Sequence, residues 1–141
     1  MKTIAIARYG PPEKAFEIRE APTPQPQAGQ VLIKVDAFGL NFADVMARNG
    51  LYQEAPKPPF VPGYEVVGRV EKLGEGAGNL RVGERVVAFT RFGGYAEYAC
   101  TAATAVVPIP EDMSHAVAAA LATQYCTAYH AACEEIGRAH V

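Results

Sequence analysis

The sequence contains no tryptophan and only three cysteines among its 141 residues. Cys100, Cys126 and Cys133 are widely spaced, and no two of them form a Cys-x-x-Cys pair. Zinc knuckles and redox-active dithiols are built on such pairs, so both kinds of site are excluded. We expect three free thiols, buried or half-buried, in a protein of the reducing cytosol.

Neither sign of charge dominates, since 13 Lys and Arg residues face 15 Asp and Glu residues for a net charge of -2. No basic stripe is present, so we expect neither a nucleic acid nor an acidic membrane as partner. The apolar run over 116–133 is rich in alanine and carries Gln124 and His130. It therefore predicts a buried helix rather than a membrane span. With no signal peptide at the N-terminus, a cytoplasmic location is expected.

Short strand-like runs separated by glycine and proline occupy the first hundred or so residues. Val31, Ile33 and Val35 show the period of two that a half-buried strand requires. Several short strands at this spacing predict one mainly β domain, either a barrel or a sandwich. The predicted strands cover 2–9, a run around Phe16 and Ile18, 31–36, 64–73, 82–89, 95–101 and 105–109.

Two segments change to a helical period. Phe42, Val45 and Met46 share one face of a short predicted helix near 42–49, with Asn41 as N-cap and Gly50 as terminator. Asp44 and Arg48 are one turn apart and are expected to pair. A second helix is predicted near 115–134, capped by Ser114.

The glycine cluster GEGAGN at 74–79 invites comparison with a phosphate-binding loop. Asn79 stands where the third glycine of G-x-G-x-x-G belongs, and a strand rather than a helix is predicted to follow. A phosphate loop works only when its glycines open a helix whose N-terminus meets the phosphate. A hairpin turn is the favoured interpretation.

Four motifs identify a family resemblance: GLNFADVMARNGLY at 39–52, PPFVPGYEVVGRV at 58–70, RFGGYAEY at 91–98 and TAYH at 127–130. They resemble the zinc-free quinone oxidoreductase and vesicle amine transport protein-like group of the medium-chain dehydrogenases/reductases. The resemblance covers residues 1–134. It implies a GroES-like β-barrel, mainly β with α+β character, which forms the N-terminal catalytic domain of these enzymes.

The resemblance is most informative at the metal positions. Zinc-containing members place a cysteine after a Gly-x pair and a histidine within Gly-His-Glu, whereas this sequence has Asn41 and Tyr64 there. Catalytic zinc takes three protein ligands, and only Glu65 remains. The resemblance therefore implies a metal-independent oxidoreductase that uses NADPH to reduce quinones or α,β-unsaturated carbonyls.

The resemblance also implies roles for individual residues, each with a structural alternative. Asn41 is expected beside the nicotinamide ribose and substrate as a catalytic and cofactor-binding group, or it only caps the helix. Tyr52 would line the substrate pocket and donate a proton, or only pack. Thr127 would lie near the nicotinamide, or bond within its own helix. Tyr64 would form a wall of the substrate pocket, or only pack. Glu65 is expected to form structural hydrogen bonds.

The resemblance ends before the Rossmann domain that follows this helix in the family. The last seven residues, EIGRAHV at 135–141, match one reading frame of a common sequencing adapter. We expect them to be an artefact that follows a truncated gene product. The chain alone is then expected to be inactive, and the longer parent protein to be a homodimer.

Three alternatives remain open from the sequence. The protein could be a non-catalytic binding or structural member of the same superfamily, similar to lens crystallins or vesicle proteins. It could be a co-chaperonin ring subunit, because the barrel is shared, but Asn41, Tyr52 and Thr127 would then have no reason to converge. A zinc dehydrogenase is the weakest alternative, since its ligands are missing.

Overall fold

The structure is a computed structural model, and it describes residues 1–136. Seven strands are formed: β1 (Lys2–Ile6), β2 (Phe16–Glu20), β3 (Gln30–Phe38), β4 (Glu65–Leu73), β5 (Arg85–Phe89), β6 (Tyr98–Ala102) and β7 (Val106–Pro108). The helices are α1 (Pro12–Ala15), α2 (Phe42–Arg48), α3 (His115–Ala120) and α4 (Cys126–Tyr129), with a 3-10 turn at Ala103–Ala105. π-helical segments at Leu121–Tyr125 and His130–Ile136 join α3 and α4 into one terminal helix over 115–136.

The strands form two antiparallel sheets. A five-stranded sheet has the order β6-β3-β4-β5-β7, and β1 pairs with β2 in a hairpin. Bridges from Thr3 to Ala96 and from Ile6 to Phe60 attach the hairpin to the rest of the molecule. The larger sheet curls into a half-barrel around a valine-rich core. The predicted mainly β fold with a terminal helix is confirmed.

The core explains why alternating valine and isoleucine residues form these strands. Val31 and Ile33 from β3 meet Val66 and Val70 from β4 and Val86 from β5, and all are buried. Gly68 lies in β4 opposite an irregular stretch of β3, where a side-chain Cβ would lie 2.0 Å from the Lys34 carbonyl oxygen. Glycine is therefore required where these two backbones approach.

The glycine cluster behaves as the hairpin interpretation predicts. Residues 74–79 lie in the connection between the antiparallel strands β4 and β5, and a strand follows them. Gly76 and Gly78 take φ values of 70° and 76°, which favour glycine. The short helix α1, which begins in Pro11-Pro12, was not predicted; proline is well suited to a first helical turn.

Helix α2 has the predicted position, and its buried face includes a carboxylate. It begins after Asn41 and ends at Arg48, as expected. However, Phe42 is 75% exposed and Val45 is 40% exposed, whereas Asp44 and Ala47 are buried. The Asp44 carboxylate and Ala47 therefore form the buried face of α2, rather than its larger apolar side chains.

The terminal helix was expected to be buried, and this prediction is wrong for most of it. Ser114 caps it as predicted, since its Oγ accepts a hydrogen bond from the Val117 N–H at 3.3 Å. Ala118 is buried against Val67 and Val87, which anchors the first turn. Ala119 and Ala122 pack partly against the same cluster, but the large apolar side chains of the helix are exposed: Val117, Leu121, Tyr125 and Tyr129.

The exposure of this helix also changes the expectation for the thiols. All three cysteines are free, as predicted, but Cys126 and Cys133 are exposed and only Cys100 is half-buried. Burial raises the pKa of the Cys100 thiol.

No helix among residues 1–136 is long and apolar enough to cross a membrane. The adapter hypothesis for 135–141 stays a prediction, since 137–141 lie outside the described residues.

Candidate functional site

The start of α2 and the start of β4 converge on one pair of side chains. The Asn41 Nδ2 lies 3.0 Å and 2.7 Å from the two carboxylate oxygens of Glu65. Because an ionised carboxylate only accepts hydrogen bonds, this contact fixes which end of the Asn41 amide is the nitrogen. The predicted structural hydrogen-bonding role of Glu65 is confirmed.

Glu65 is fully buried and has a second partner that the sequence did not indicate. The Thr123 hydroxyl, on the terminal helix, donates to Glu65 Oε2. Thr127, the threonine that was predicted, lies one turn further along and is exposed. The structure thus brings Asn41, Glu65 and Thr123 together. The only sequence signal for Thr123 was its position four residues before Thr127 on the same predicted helix.

Gly39 makes room for this carboxylate. A side-chain Cβ at Gly39 would lie 1.6 Å from Glu65 Oε1 and 2.6 Å from its Cδ. Such distances cannot be accommodated while Glu65 keeps its contacts with Asn41 and Thr123. The glycine of the Gly39-Leu40-Asn41 motif therefore has a packing role, which is to admit the Glu65 side chain.

Tyr64 directly precedes Glu65 along the chain, and its hydroxyl has no hydrogen-bond partner among the described residues. The side chain is 8% exposed, and its oxygen meets no hydrogen-bond partner among the described residues. Burial raises the pKa of Tyr64 well above its ordinary value, and the nearby Tyr52 hydroxyl raises it further. A buried hydroxyl without a hydrogen-bond partner is unfavourable, so this oxygen is an exception among buried polar groups.

Tyr52 packs on Tyr64 from the loop that follows α2. The two rings meet edge to face with centroids 6.1 Å apart, and Phe89 packs on Tyr64 from β5 at 5.7 Å. Both predicted pocket tyrosines are therefore adjacent. Arg91, which the sequence did not single out, adopts a left-handed φ of 61°. The Arg91 guanidinium pairs with Glu54, which is on the same loop as Tyr52.

The expected pairing of Asp44 with Arg48 is not formed. Arg48 instead donates to the Gly10 carbonyl oxygen. Asp44 is 5% exposed and turns inward toward three donors from other parts of the chain. The prediction was wrong because helical spacing allows the pair, but buried N–H and O–H groups offer the carboxylate a stronger set of partners.

The donor set does not suit a catalytic zinc ion. Among the side chains that the structure describes, those of residues 1–133, no group of three from His, Cys, Asp or Glu could hold a metal ion. Of the three side chains that the resemblance places at zinc-ligand positions, the Asn41 amide nitrogen is a donor and the Tyr64 oxygen is a high-pKa phenol. Only Glu65 has a ligand's chemistry, and it is already bonded to two neighbours.

Phenylalanine substitutions should separate the two buried tyrosines. Tyr64→Phe removes a hydroxyl without a partner, so we expect the free energy of unfolding to stay within about 0.5 kcal/mol or rise slightly. Tyr95→Phe removes a hydroxyl that donates to Asp44 Oδ2 at 3.0 Å. We expect it to lower the free energy of unfolding by about 1.5–3 kcal/mol. Urea denaturation of both variants checks the contrast, which equal losses would contradict.

Comparison with protein families gives a match to the alcohol dehydrogenase GroES-like domain over residues 27–111. These residues contain Asn41, Tyr52, Tyr64 and Glu65. The matched segment is more than half of the chain.

Curated relatives and solved structures extend this match to nearly the whole chain. The human synaptic vesicle membrane protein VAT-1 homolog-like is 42% identical over 129 residues, which are 92% of this chain and 30% of that protein. The rat quinone oxidoreductase is 39% identical over 132 residues, which are 93% of this chain and 40% of that protein. The Escherichia coli quinone oxidoreductase complexed with NADPH superposes with a TM-score of 0.87 at 28% identity, over 96% of this chain and 41% of that one. The chain thus spans less than half the length of these relatives.

Proposed function

Because the chain belongs to the alcohol dehydrogenase GroES-like domain family, we propose that it forms one side of the active site of a zinc-independent oxidoreductase. The proposed substrates are quinones or α,β-unsaturated carbonyls, and the proposed cofactor is NADPH. At the positions where the resemblance places zinc ligands in zinc-containing members, the chain has an amide bound to a buried carboxylate and a buried phenol. The phenol oxygen has no hydrogen-bond partner among the described residues, and this arrangement is the main support for the proposal.

The donor set suits a neutral nicotinamide and a carbonyl substrate. NADPH, when bound, supplies the hydride, and negative charge then develops on the substrate's carbonyl oxygen. The Tyr64 and Tyr52 hydroxyls are hydrogen-bond donors that can stabilise this charge, and Tyr52 is the proposed proton donor. Asn41, held by Glu65, and Thr127 are proposed to contact the nicotinamide side of the cleft.

The described residues supply only part of what such an enzyme requires. Every strand pair in residues 1–136 is antiparallel, whereas a dinucleotide-binding fold is built on parallel strands with crossover helices. We propose that a longer protein contains this chain together with a dinucleotide-binding domain. We further propose that this protein is a cytoplasmic homodimer and that the isolated chain is inactive.

Enzyme assays test the proposal directly. The longer protein, incubated with NADPH and either 1,4-benzoquinone or an enone, is expected to consume NADPH, whereas the isolated 141-residue chain is not. Tyr52→Phe in the longer protein should lower kcat by roughly tenfold or more if its hydroxyl donates the proton. Tyr98→Phe, a half-buried tyrosine in β6, is the matched control. NADPH binding without turnover would instead support a non-catalytic member of the family.

A further inference from the structure

Asp44 is a buried carboxylate that holds three separate segments together. Its Oδ2 accepts from the Asn41 backbone N–H at 3.0 Å and from the Tyr95 hydroxyl at 3.0 Å. Its Oδ1 accepts from the Gly63 backbone N–H at 3.2 Å. Asn41 directly precedes α2, Gly63 lies before β4, and Tyr95 lies before β6. These donors are 3, 19 and 51 residues from Asp44 along the chain.

Two of these three donors adjoin the residues assigned to the site. Asn41 is itself a site residue, and Gly63 directly precedes Tyr64. Gly63 has a φ of 108°, and an added Cβ would lie 2.8 Å from the Gly94 Cα, so the backbone before Tyr64 is tightly confined. In addition to the hydrogen bond of its hydroxyl, Tyr95 stacks its ring on Phe38, with ring centroids 4.4 Å apart.

We propose that Asp44 is a positioning residue that sets the separation of Asn41 and Tyr64 by accepting hydrogen bonds from the backbone at Asn41 and before Tyr64. The proposal rests on the proposed function, because it concerns the same site. Two carboxylates then bind different groups of Asn41. Asp44 fixes its backbone N–H, and Glu65 fixes its side-chain amide. Glu65 is also the residue after Tyr64, so both carboxylates act on the same two segments.

Asp44→Asn is the sharpest test because it keeps the shape of the side chain. An amide has one acceptor oxygen and an NH2 group that only donates. Whichever way it turns, either the Asn41 N–H or the Gly63 N–H faces that NH2 group and loses its acceptor. Tyr95→Phe is the complementary variant, since it removes the third donor and leaves both carboxylate oxygens facing backbone N–H groups.

Hydrogen exchange measured by NMR on the 141-residue chain tests the contacts without relying on activity. Both amide protons are expected to be protected in the unsubstituted chain. In Asp44→Asn, at least one should exchange about tenfold faster or more, with the Ile33 amide in β3 unchanged. Both should stay protected in Tyr95→Phe. If Asp44→Asn does not fold, the unsubstituted chain still decides, because unprotected Asn41 and Gly63 amides would overturn the proposal.

Kinetics on the longer protein separate positioning from simple stability. Asp44→Asn should lower kcat by about tenfold or more in the folded enzyme while the KM for NADPH changes less than about twofold. Asp112 is an exposed carboxylate on the loop before α3, and Asp112→Asn should change neither kcat nor the KM for NADPH. Normal kcat in a folded Asp44→Asn enzyme would overturn the positioning role. An inactive unsubstituted protein with protected amides would instead overturn the proposed function and leave these contacts standing.

Discussion

Asn41→Asp is expected to lower the free energy of unfolding by about 3 kcal/mol, although aspartate is normally as good a helix N-cap as asparagine. The substitution replaces the Nδ2 donor, which lies 2.7 Å from Glu65, with a carboxylate oxygen. Two carboxylates would then share a site in which Glu65 is fully buried. Such a pair keeps a proton to higher pH when folded than when unfolded, so the loss should grow as pH rises. Urea denaturation at pH 5 and pH 8 measures it.

The matched control for this prediction is Asn79→Asp, the same chemical change in the exposed turn between β4 and β5. It should alter stability by less than about 0.5 kcal/mol at either pH. If Asn41→Asp is as mild as the control, or more stable because of better capping, then the Asn41 side chain is not bound to Glu65. The assignment of the site would then be wrong.

Gly63→Ala is expected to destabilise the protein by about 3 kcal/mol or more. Two effects combine at this position. The φ of 108° is strained for any residue with a side chain, and the new Cβ would lie 2.8 Å from the Gly94 Cα and 2.8 Å from the Tyr95 nitrogen. Backbone atoms cannot yield as the end of a flexible side chain can, so overpacking adds to the strain.

Gly29→Ala isolates the conformational part of that effect. Gly29 has a φ of 73°, and nothing lies within 4 Å of an added Cβ. Its loss should be about 1–2 kcal/mol, which is the cost of the left-handed conformation alone. Equal losses at the two glycines, measured by thermal or urea denaturation, would mean that the close approach of the Gly63 and Gly94 segments does not confine Tyr64.

The outline of the fold follows from local sequence patterns. The period of two at Val31, Ile33 and Val35 predicted β3, and proline and glycine marked most strand ends. Asn41 and Gly50 bracketed α2 almost to the residue. These features depend on neighbours along the chain, where backbone preferences and spacing act directly.

The internal arrangement of the site could not be predicted in the same way. Asp44 faces the core because Gly63 and Tyr95, 19 and 51 residues away, supply its donors. Thr123 rather than Thr127 reaches Glu65, and this choice depends on how the terminal helix meets the sheet. Periodicity shows which side chains share a face of α2, but it does not show which face is buried. Hydrogen bonds between distant segments leave no mark in local spacing.

The most direct test measures quinone reduction by the longer protein after treatment with a zinc chelator. The Asn41→Ala variant is assayed in the same way. We expect the metal-free enzyme to keep its full rate of NADPH oxidation and the variant to lose roughly tenfold or more in kcat. A protein that carries one zinc ion per chain and loses activity when that ion is removed would contradict this expectation. So would a folded Asn41→Ala enzyme with an unchanged rate.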